Sequence, residues 1–249
     1  MAERLDVTLV QRALAPSRGR AQALVAAGLV EVDGARAVRV SQRVSESSAV
    51  RILGRDHPWA GRGGIKLAAA LDAFAVGCDG RVCLDAGAST GGFTDVLLSR
   101  GAALVYAVDV GYGQLDARLA ADSRVRVVDR TNIRVLSRLE GPVPDLVTLD
   151  LSFISLRSVL PNVTALAPGA EVIALYKPQF ELGQERVGHG GVVRDSSAVG
   201  NGVRAFTAWV EAELGAASAS APVPAAIRGA KGNQEWFVHL RLLRHGGER

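Results

Sequence analysis

The sequence predicts an α/β protein, in which a parallel sheet is covered by helices on both faces and follows a small, basic α+β module. Short apolar strands alternate with helical stretches from residue 82 onward. Polar or charged residues end five successive strands: Asp85, Asp109, Asp129, Asp150 and Lys177. Ligands of such sheets bind at the carboxyl ends of the strands, so the pattern places a candidate site at that edge.

The first of these strands, Val82 to Asp85, runs into a loop of small residues and then into a predicted helix, 93–100. Glycines let the loop turn tightly and approach a ligand, and a helix N-terminus favours polar or negative groups. The loop matches neither a P-loop nor G-x-G-x-x-G, so by itself it indicates only a cofactor with a ribose. Asp109 lies 24 residues past Asp85, a spacing that suits a contact to ribose hydroxyls. The predicted cofactor-binding residues are Asp85, Gly87, Ala88, Ser89, Thr90, Gly91, Gly92, Phe93, Asp109, Asp129 and Asp150.

The length of 249 residues fits either one large domain or one large and one small domain, and the composition fits a cytoplasmic protein. No apolar run approaches the 18 residues of a membrane span, and the N-terminus lacks the apolar core of a signal peptide. Cys78 and Cys83 are too isolated for a zinc site and read as buried apolar residues of a reducing compartment. No metal site is expected.

The excess positive charge lies in the N-terminal quarter. Residues 1–62 hold ten Arg, no Lys and six acidic residues, whereas the remainder is neutral overall. This asymmetry predicts a small basic module joined to a neutral catalytic or ligand-binding body.

Within that module the pattern predicts helices over 5–14 and 17–28, a strand over 29–34 ending in an Asp-Gly turn, a returning strand over 37–40 and a strand over 50–53. This order, with Ser-Arg at the start of the second helix, resembles the S-four RNA-binding domain over about residues 3–60. The candidate phosphate contacts are Arg4, Arg12, Arg18, Arg20 and Arg36, although a solvated basic face would look the same. The glycine-rich segment 54–64 reads as a linker, so the predicted domains are 1–60 and 61–249.

The large domain continues with predicted strands and helices up to the C-terminus. The strands are 103–108, 124–128, 145–149, 171–176, 223–227 and 236–242, and the helices are 65–74, 156–166 and 198–214.

Lysine is rare in this chain, which has 26 Arg and only three Lys: Lys66, Lys177 and Lys231. A lysine can lose its proton at lower cost than an arginine, so a retained lysine suggests proton transfer. Lys66 opens a predicted helix and Lys177 ends a strand, and both are candidate catalytic residues. Lys231 reads as an ordinary turn residue.

Five motifs together carry a resemblance that covers nearly the whole chain. They are Asp-Ala-Gly-Ala-Ser-Thr-Gly-Gly-Phe, Asp-Val-Gly-Tyr-Gly-Gln-Leu, Asp-Leu-Ser-Phe-Ile-Ser, Lys-Pro-Gln-Phe-Glu and Gly-Asn-Gln-Glu-Trp-Phe. The combination resembles the TlyA/haemolysin A family of ribosomal RNA ribose 2′-O-methyltransferases, which join an S-four domain to a Rossmann-like class I methyltransferase domain. The resemblance implies S-adenosylmethionine as cofactor and ribosomal RNA in ribosomal subunits as partner, with no membrane and no obligate protein partner. It also implies a catalytic set of Lys66, Asp150, Lys177 and Glu235.

In such a site a lysine would accept the proton of a ribose 2′-hydroxyl while the carboxylates orient the amines. The sequence leaves open which lysine is the base. An RNA base methyltransferase remains an alternative, although Asp150-Leu-Ser-Phe153 lacks the prolines that follow the acid in many such enzymes. A membrane-lytic haemolysin, a nicotinamide-dependent oxidoreductase and a non-catalytic RNA-binding module fit the residues less well.

Overall fold

The computed structural model describes residues 2–15, 17–26, 28–54, 57–214 and 216–243. The chain divides into two units, Met1–Pro58 and Trp59–Arg249, each with its own hydrophobic core. The predicted boundary at residue 60 stays a prediction, and the contacts place the division two residues earlier.

The N-terminal unit combines two helices with short antiparallel strands around a core that includes Leu5, Leu9, Leu24 and Val30. Its elements are β1 (Glu3–Arg4), α1 (Leu5–Gln11), α2 (Arg18–Ala26), β2 (Val30–Val32), β3 (Ala35–Arg36), β4 (Arg43–Val44) and β5 (Val50–Ile52). Strands β3, β2 and β5 form one sheet, and β1 pairs with β4.

The returning strand predicted over 37–40 is wrong, because the strand is β3 at Ala35–Arg36. Asp33 and Gly34 both have positive φ, 50° and 83°, as a two-residue hairpin turn requires. Pairing therefore resumes directly after the turn, with Val32 opposite Ala35.

The large unit is built around one seven-stranded sheet with strand order β11-β12-β10-β9-β6-β7-β8. Its strands are β6 (Val82–Ala86), β7 (Leu104–Val108), β8 (Val125–Val128), β9 (Leu146–Leu149), β10 (Glu171–Tyr176), β11 (Ala217–Pro224) and β12 (Trp236–Arg241). Its helices are α3 (Gly63–Phe74), α4 (Gly92–Ser99), α5 (Ala117–Ala120), α6 (Leu160–Leu166), α7 (Pro178–Glu181) and α8 (Ser196–Leu214), with 3-10 turns at Leu156–Ser158 and Gln184–Arg186.

Helices cover both faces of this sheet, as the sequence predicts. Leu84 and Val147 pack on one face with residues of α6 and α8, whereas Cys83 and Leu146 pack on the other with α3 and α4. Neighbouring residues of one strand thus enter opposite cores, which explains why the central strands read as continuous apolar runs.

The prediction of a parallel sheet is correct for five strands, whereas the last two are antiparallel. Strand β12 runs antiparallel to β10, and β11 runs antiparallel to β12. The predicted strand 223–227 is also misplaced, because β11 ends at Pro224. Its Ala-Ser-rich sequence has low β propensity and conceals the strand.

The predicted linker 54–64 is wrong in its second half. Ala60 is buried in the core of the large unit and Trp59 packs against the same cluster. Gly63 and Gly64 open α3, and a Cβ at Gly64 would lie 2.3 Å from Cγ of Trp59. This glycine allows close packing.

Candidate active site

Two adjoining clefts open at the carboxyl ends of the parallel strands of the large unit. The first has a volume of about 550 Å³ and the second of about 530 Å³. They share five lining residues: Gly87, Ser89, Asp150, Ser152 and Phe153. Groups held in the two clefts would therefore meet near the ends of β6 and β9.

The first cleft contains the carboxylate of Asp109, which follows β7. The backbone N–H of Ser89 donates to Oδ2 at 2.8 Å, and that of Gly111 donates to Oδ1 at 2.7 Å. Ser89 adopts a left-handed backbone, φ 47°, that aims its N–H at this carboxylate. Each carboxylate oxygen keeps a second acceptor site, so the pair can receive two hydroxyl groups.

The rest of this cleft is lined by both apolar and polar residues, which the sequence did not predict to be part of the site. Apolar lining residues include Val108, Ile133 and Leu151, and polar ones include Thr131 and Asn132. Apolar walls with a few fixed polar groups suit a nucleoside. The sequence holds a signal for this stretch, since residues 131–133 begin two positions after Asp129, the acidic residue that follows β8.

Gly87 allows two strand ends of the sheet to lie close together, which the sequence did not predict. Its φ is +86°, and a Cβ there would lie 2.6 Å from the carbonyl oxygen of Asp150. The glycine therefore lets the end of β6 lie against the end of β9. The sequence predicted that this glycine allows a ligand to come close. In the structure it is the backbone of Asp150 that lies close to Gly87.

Seven of the predicted cofactor residues do not line either cleft. Asp85 is fully buried, where it accepts hydrogen bonds from Oγ1 of Thr94 at 2.7 Å and of Thr148 at 3.3 Å. Burial raises the pKa of Asp85 to about 7. Asp85 thus ties β6 to α4 and β9 from inside the fold.

Asp129 and the loop residues 88–93 other than Ser89 likewise act on the shape of the site. Phe93 packs on Phe237, with ring centroids 6.2 Å apart, in the core. Asp129 accepts from the N–H of Gly113 at 2.8 Å. The remaining members that lie outside the clefts are Ala88, Thr90, Gly91 and Gly92.

The second cleft brings together the four residues predicted to be catalytic. Lys66, Asp150, Lys177 and Glu235 all line it. Nζ of Lys177 lies 2.5 Å from Oδ1 of Asp150, and Nζ of Lys66 lies 2.5 Å from Oε2 of Glu235. Lys177 also donates to Oγ of Ser152 at 3.1 Å. Two amine–carboxylate pairs thus stand side by side in one pocket.

Four separate chain segments supply these side chains. Lys66 lies in the first turn of α3, whereas Asp150 follows β9 and Lys177 follows β10. Glu235 directly precedes β12. Lys177 and Glu235 are 8% and 3% exposed, so water solvates them poorly. Their charges are compensated by Asp150 and Lys66 instead.

Comparisons with known proteins match both units. The family model described as FtsJ-like methyltransferase matches residues 59–242, and the S4 domain matches residues 3–50. The 16S/23S rRNA (cytidine-2′-O)-methyltransferase TlyA of Mycobacterium tuberculosis is 48% identical over 244 residues, which cover 96% of this chain and 89% of that protein. The chain belongs to the TlyA family of FtsJ-like methyltransferases.

Relatives of this TlyA-family chain carry two kinds of name. Hemolysin A of Brachyspira hyodysenteriae is 31% identical, with 95% of this chain and 99% of that protein covered. A solved structure of a candidate hemolysin from Streptococcus thermophilus is 36% identical, with a TM-score of 0.77 over 97% of this chain and 89% of that one. Within the described ranges, no helix is long and apolar enough to cross a bilayer.

Glu181 fixes a loop of this methyltransferase site that the sequence did not connect to it. Its carboxylate accepts from Oγ of Ser155 at 2.7 Å and from the N–H of Leu156 at 2.6 Å. Burial raises the pKa of Glu181. Phe153, upstream in the same loop, lies 5.2 Å from the Phe180 ring and is 89% exposed. Glu181 thus anchors the far end of the segment that begins at Asp150.

The predicted RNA-binding arginines of the S4 unit differ in their contacts. Asp6 is fully buried, and it accepts from Arg4 at 3.0 Å and from Arg18 at 2.9 Å. Those two hydrogen bonds, that from Arg4 first, hold the pKa of Asp6 well below its usual range. The buried Asp6 carboxylate therefore fixes the orientation of Arg4 and Arg18, whose side chains remain partly exposed.

Arg12 has a structural role that the sequence did not reveal. Its guanidinium donates to the backbone carbonyls of Ser45, Glu46 and Ser48 at 2.7–3.0 Å. Arg20 donates its backbone N–H to Oγ of Ser17 at 3.3 Å, and Arg36 is exposed. Arg12 holds the loop between β4 and β5, and its guanidinium donors are engaged by these carbonyls. We therefore assign Arg12 mainly to the stability of the loop.

Proposed function

We propose that this protein transfers a methyl group from S-adenosylmethionine to a ribose 2′-hydroxyl of ribosomal RNA. The observation that carries the proposal is the pair of amine–carboxylate contacts in the second cleft, beside the Asp109 carboxylate in the first. The chemistry of the relative from Mycobacterium tuberculosis, named for cytidine 2′-O-methylation, supports the same assignment.

The first cleft fits the nucleoside half of S-adenosylmethionine. Asp109 would accept from the ribose hydroxyls, since both of its oxygens retain an acceptor site beyond their backbone donors. Val108, Ile133 and Leu151 supply apolar surface for an adenine ring. When bound, the cofactor supplies a methyl group already activated by positive sulfur.

Lys177 is proposed to act at the acceptor oxygen. From its neutral form, Lys177 would take the proton of the 2′-hydroxyl while that oxygen bonds to the methyl carbon; the methyl carbon–sulfur bond would break and leave its electron pair on sulfur, and Asp150 would stabilise the resulting ammonium. Ser152 holds the amine from another side. Lys66 and Glu235 form the facing wall and exclude water from the acceptor.

The N-terminal unit is proposed to bind the RNA. Its match to the S4 domain and its excess of arginine support this role. We place residues 1–60 in RNA binding and 61–249 in methyl transfer, with ribosomal RNA in ribosomal subunits as the cytoplasmic partner.

Methylation of a base is the main alternative. A pyrimidine C5 mechanism needs a reactive thiolate, but Cys83 is fully buried and its burial raises the pKa of the thiol. Transfer to an exocyclic nitrogen needs no base of the Lys177 type, so the paired amines favour oxygen as the acceptor.

The experiment uses purified ribosomal subunits and cofactor labelled in the methyl group. Label should enter the ribosomal RNA, and the modified linkage should resist alkaline hydrolysis because a methylated 2′-oxygen cannot attack its phosphate. Label released with a free, alkali-sensitive nucleotide would place the methyl group on a base and refute the proposal.

A further inference from the structure

All three lysines of the chain line the second cleft. The 26 arginines are spread over the whole sequence, whereas Lys66, Lys177 and Lys231 converge on this one cavity. The sequence pattern suggested an ordinary turn residue at Lys231. Its place in the cavity wall raises the question of what its charge meets there.

Lys231 differs from the other two lysines in lacking a carboxylate partner. Lys66 pairs with Glu235 and Lys177 pairs with Asp150, both at 2.5 Å. Within the described part of the chain, the ion pairs include none to Lys231, whose side chain is exposed to the cavity. The cleft thus presents one uncompensated positive charge to whatever enters it.

The side chain of Lys231 lies close to Gly191, which lines the same cavity. A Cβ at Gly191 would lie 3.2 Å from Nζ and 3.4 Å from Cδ of Lys231. Gly191 itself has φ +79°. The lysine stem therefore runs along a glycine surface that leaves it room, and a broader guanidinium would fit this position less well.

The turn that carries Lys231 is held firmly. The N–H of Gly229 donates to the carbonyl of Asn233 at 3.0 Å, and Nη1 of Arg228 donates to the carbonyl of Gly232 at 3.0 Å. This network fixes the backbone on both sides of the lysine. Because the backbone is fixed, only rotation about the side-chain bonds of Lys231 can move its ammonium group.

Asn233 joins this turn to the wall that contains Gly191. The Asn233 side chain is 1% exposed, donates from Nδ2 to the carbonyl of Gly191 at 2.8 Å, and accepts at Oδ1 from the N–H of Val193 at 2.8 Å. The turn that carries Lys231 is therefore fixed relative to Gly191, and Lys231 lines the same cavity as Lys177.

We propose that Lys231 binds a backbone phosphate next to the acceptor ribose, and this inference rests on the proposed function. A lysine ammonium is a compact charge well suited to a phosphate oxygen. The carboxylate of the cofactor is the other available anion, but Lys231 does not line the first cleft. Contact with the phosphate would orient the 2′-hydroxyl toward Lys177 and Asp150.

The test compares Lys231→Ala with the wild type in methyl transfer to ribosomal subunits at saturating cofactor. The KM for subunits should rise about 5- to 10-fold, while cofactor affinity measured by calorimetry stays unchanged. The slope of log KM against log salt concentration should fall by about 0.7 to 0.9, as expected for one lost phosphate contact. Lys231→Gln, which retains a polar turn residue, should behave like Lys231→Ala.

Arg204→Ala is the charge-matched control, because Arg204 is an exposed residue of α8 outside both clefts. An unchanged salt slope in both Lys231 variants, or an effect equal to that of Arg204→Ala, would overturn the inference. A loss confined to cofactor affinity would also overturn it and assign Lys231 to the cofactor carboxylate. Failure of the wild type to methylate ribose would instead refute the proposed function.

Discussion

Nζ of Lys66 lies 2.5 Å from Oε2 of Glu235, a residue 169 positions further along the chain. The side chains are 11% and 4% exposed, so each charge depends on the other for its compensation. The pair joins the first turn of α3 to the start of β12 and lines the cleft that also contains Lys177.

Glu235→Gln should therefore impair both folding and transfer. Removing one partner of a buried pair costs about 3 kcal/mol of unfolding free energy, and loss of a positioned amine should lower kcat about 100-fold. Urea unfolding and single-turnover kinetics measure the two effects. The double variant Lys66→Met/Glu235→Leu should regain stability and stay inactive. Recovery of activity in that variant would reduce the pair to a structural role.

Asp85 predicts a pH dependence of stability. Its native pKa of about 7 exceeds the value of about 3.9 in an unfolded chain. The native state thus binds the extra proton between these values, and stability decreases as pH rises from about 4 to about 7, by up to about 4 kcal/mol. Subtracting the denaturation curve of Asp85→Asn, which cannot ionise, isolates this contribution.

The control for this measurement is Glu211→Gln on the exposed face of α8. The difference between wild type and Asp85→Asn should vary with pH, and the difference for the control should be small. A flat difference for Asp85→Asn between pH 5 and 8 would show that the carboxyl is ionised throughout, against its burial between Thr94 and Thr148.

Asp109 should govern cofactor affinity. Hydrogen bonds to a charged group contribute about 1.5 to 3 kcal/mol, so Asp109→Asn should raise the dissociation constant for S-adenosylmethionine about 10- to 100-fold in calorimetry. Asp129→Asn is the matched control, because Asp129 faces the N–H of Gly113 and lies outside the clefts. Equal losses in both variants would contradict a direct ribose contact by Asp109.

Replacement of Arg12 should affect mainly the stability of the S4 unit, whereas replacement of Arg36 should affect mainly RNA binding. Arg12→Ala removes three backbone contacts and should destabilise that unit, as followed by limited proteolysis of the full chain. Arg36→Ala should leave proteolysis unchanged and lower the salt slope of RNA binding by about 0.7 to 0.9. The reverse pattern would exchange the two roles.

Much of the fold could be predicted from sequence because the central strands are buried on both faces. Their apolar runs and terminal acids, such as Asp150, can be read directly. Strand β11 could not be read, since its alanines and serines pack at an edge where propensity is a weak guide.

The site was predictable in part for a different reason. Strand ends converge in any parallel sheet, so Asp109, Asp150 and Lys177 meet at one edge. The direction of a side chain is not visible in a motif, however, and Asp85 points into the core. The use of Arg12 depends on carbonyls more than 30 residues away, which no local pattern reports.

Replacement of Lys177 tests the central claim most directly. The measurement is single-turnover methyl transfer to prebound ribosomal subunits by Lys177→Arg, with cofactor affinity determined in parallel. Arginine keeps the charge beside Asp150 but cannot readily give up a proton, so transfer should fall at least about 100-fold while cofactor binding stays near the wild-type value. Full activity in Lys177→Arg would contradict a proton-accepting Lys177.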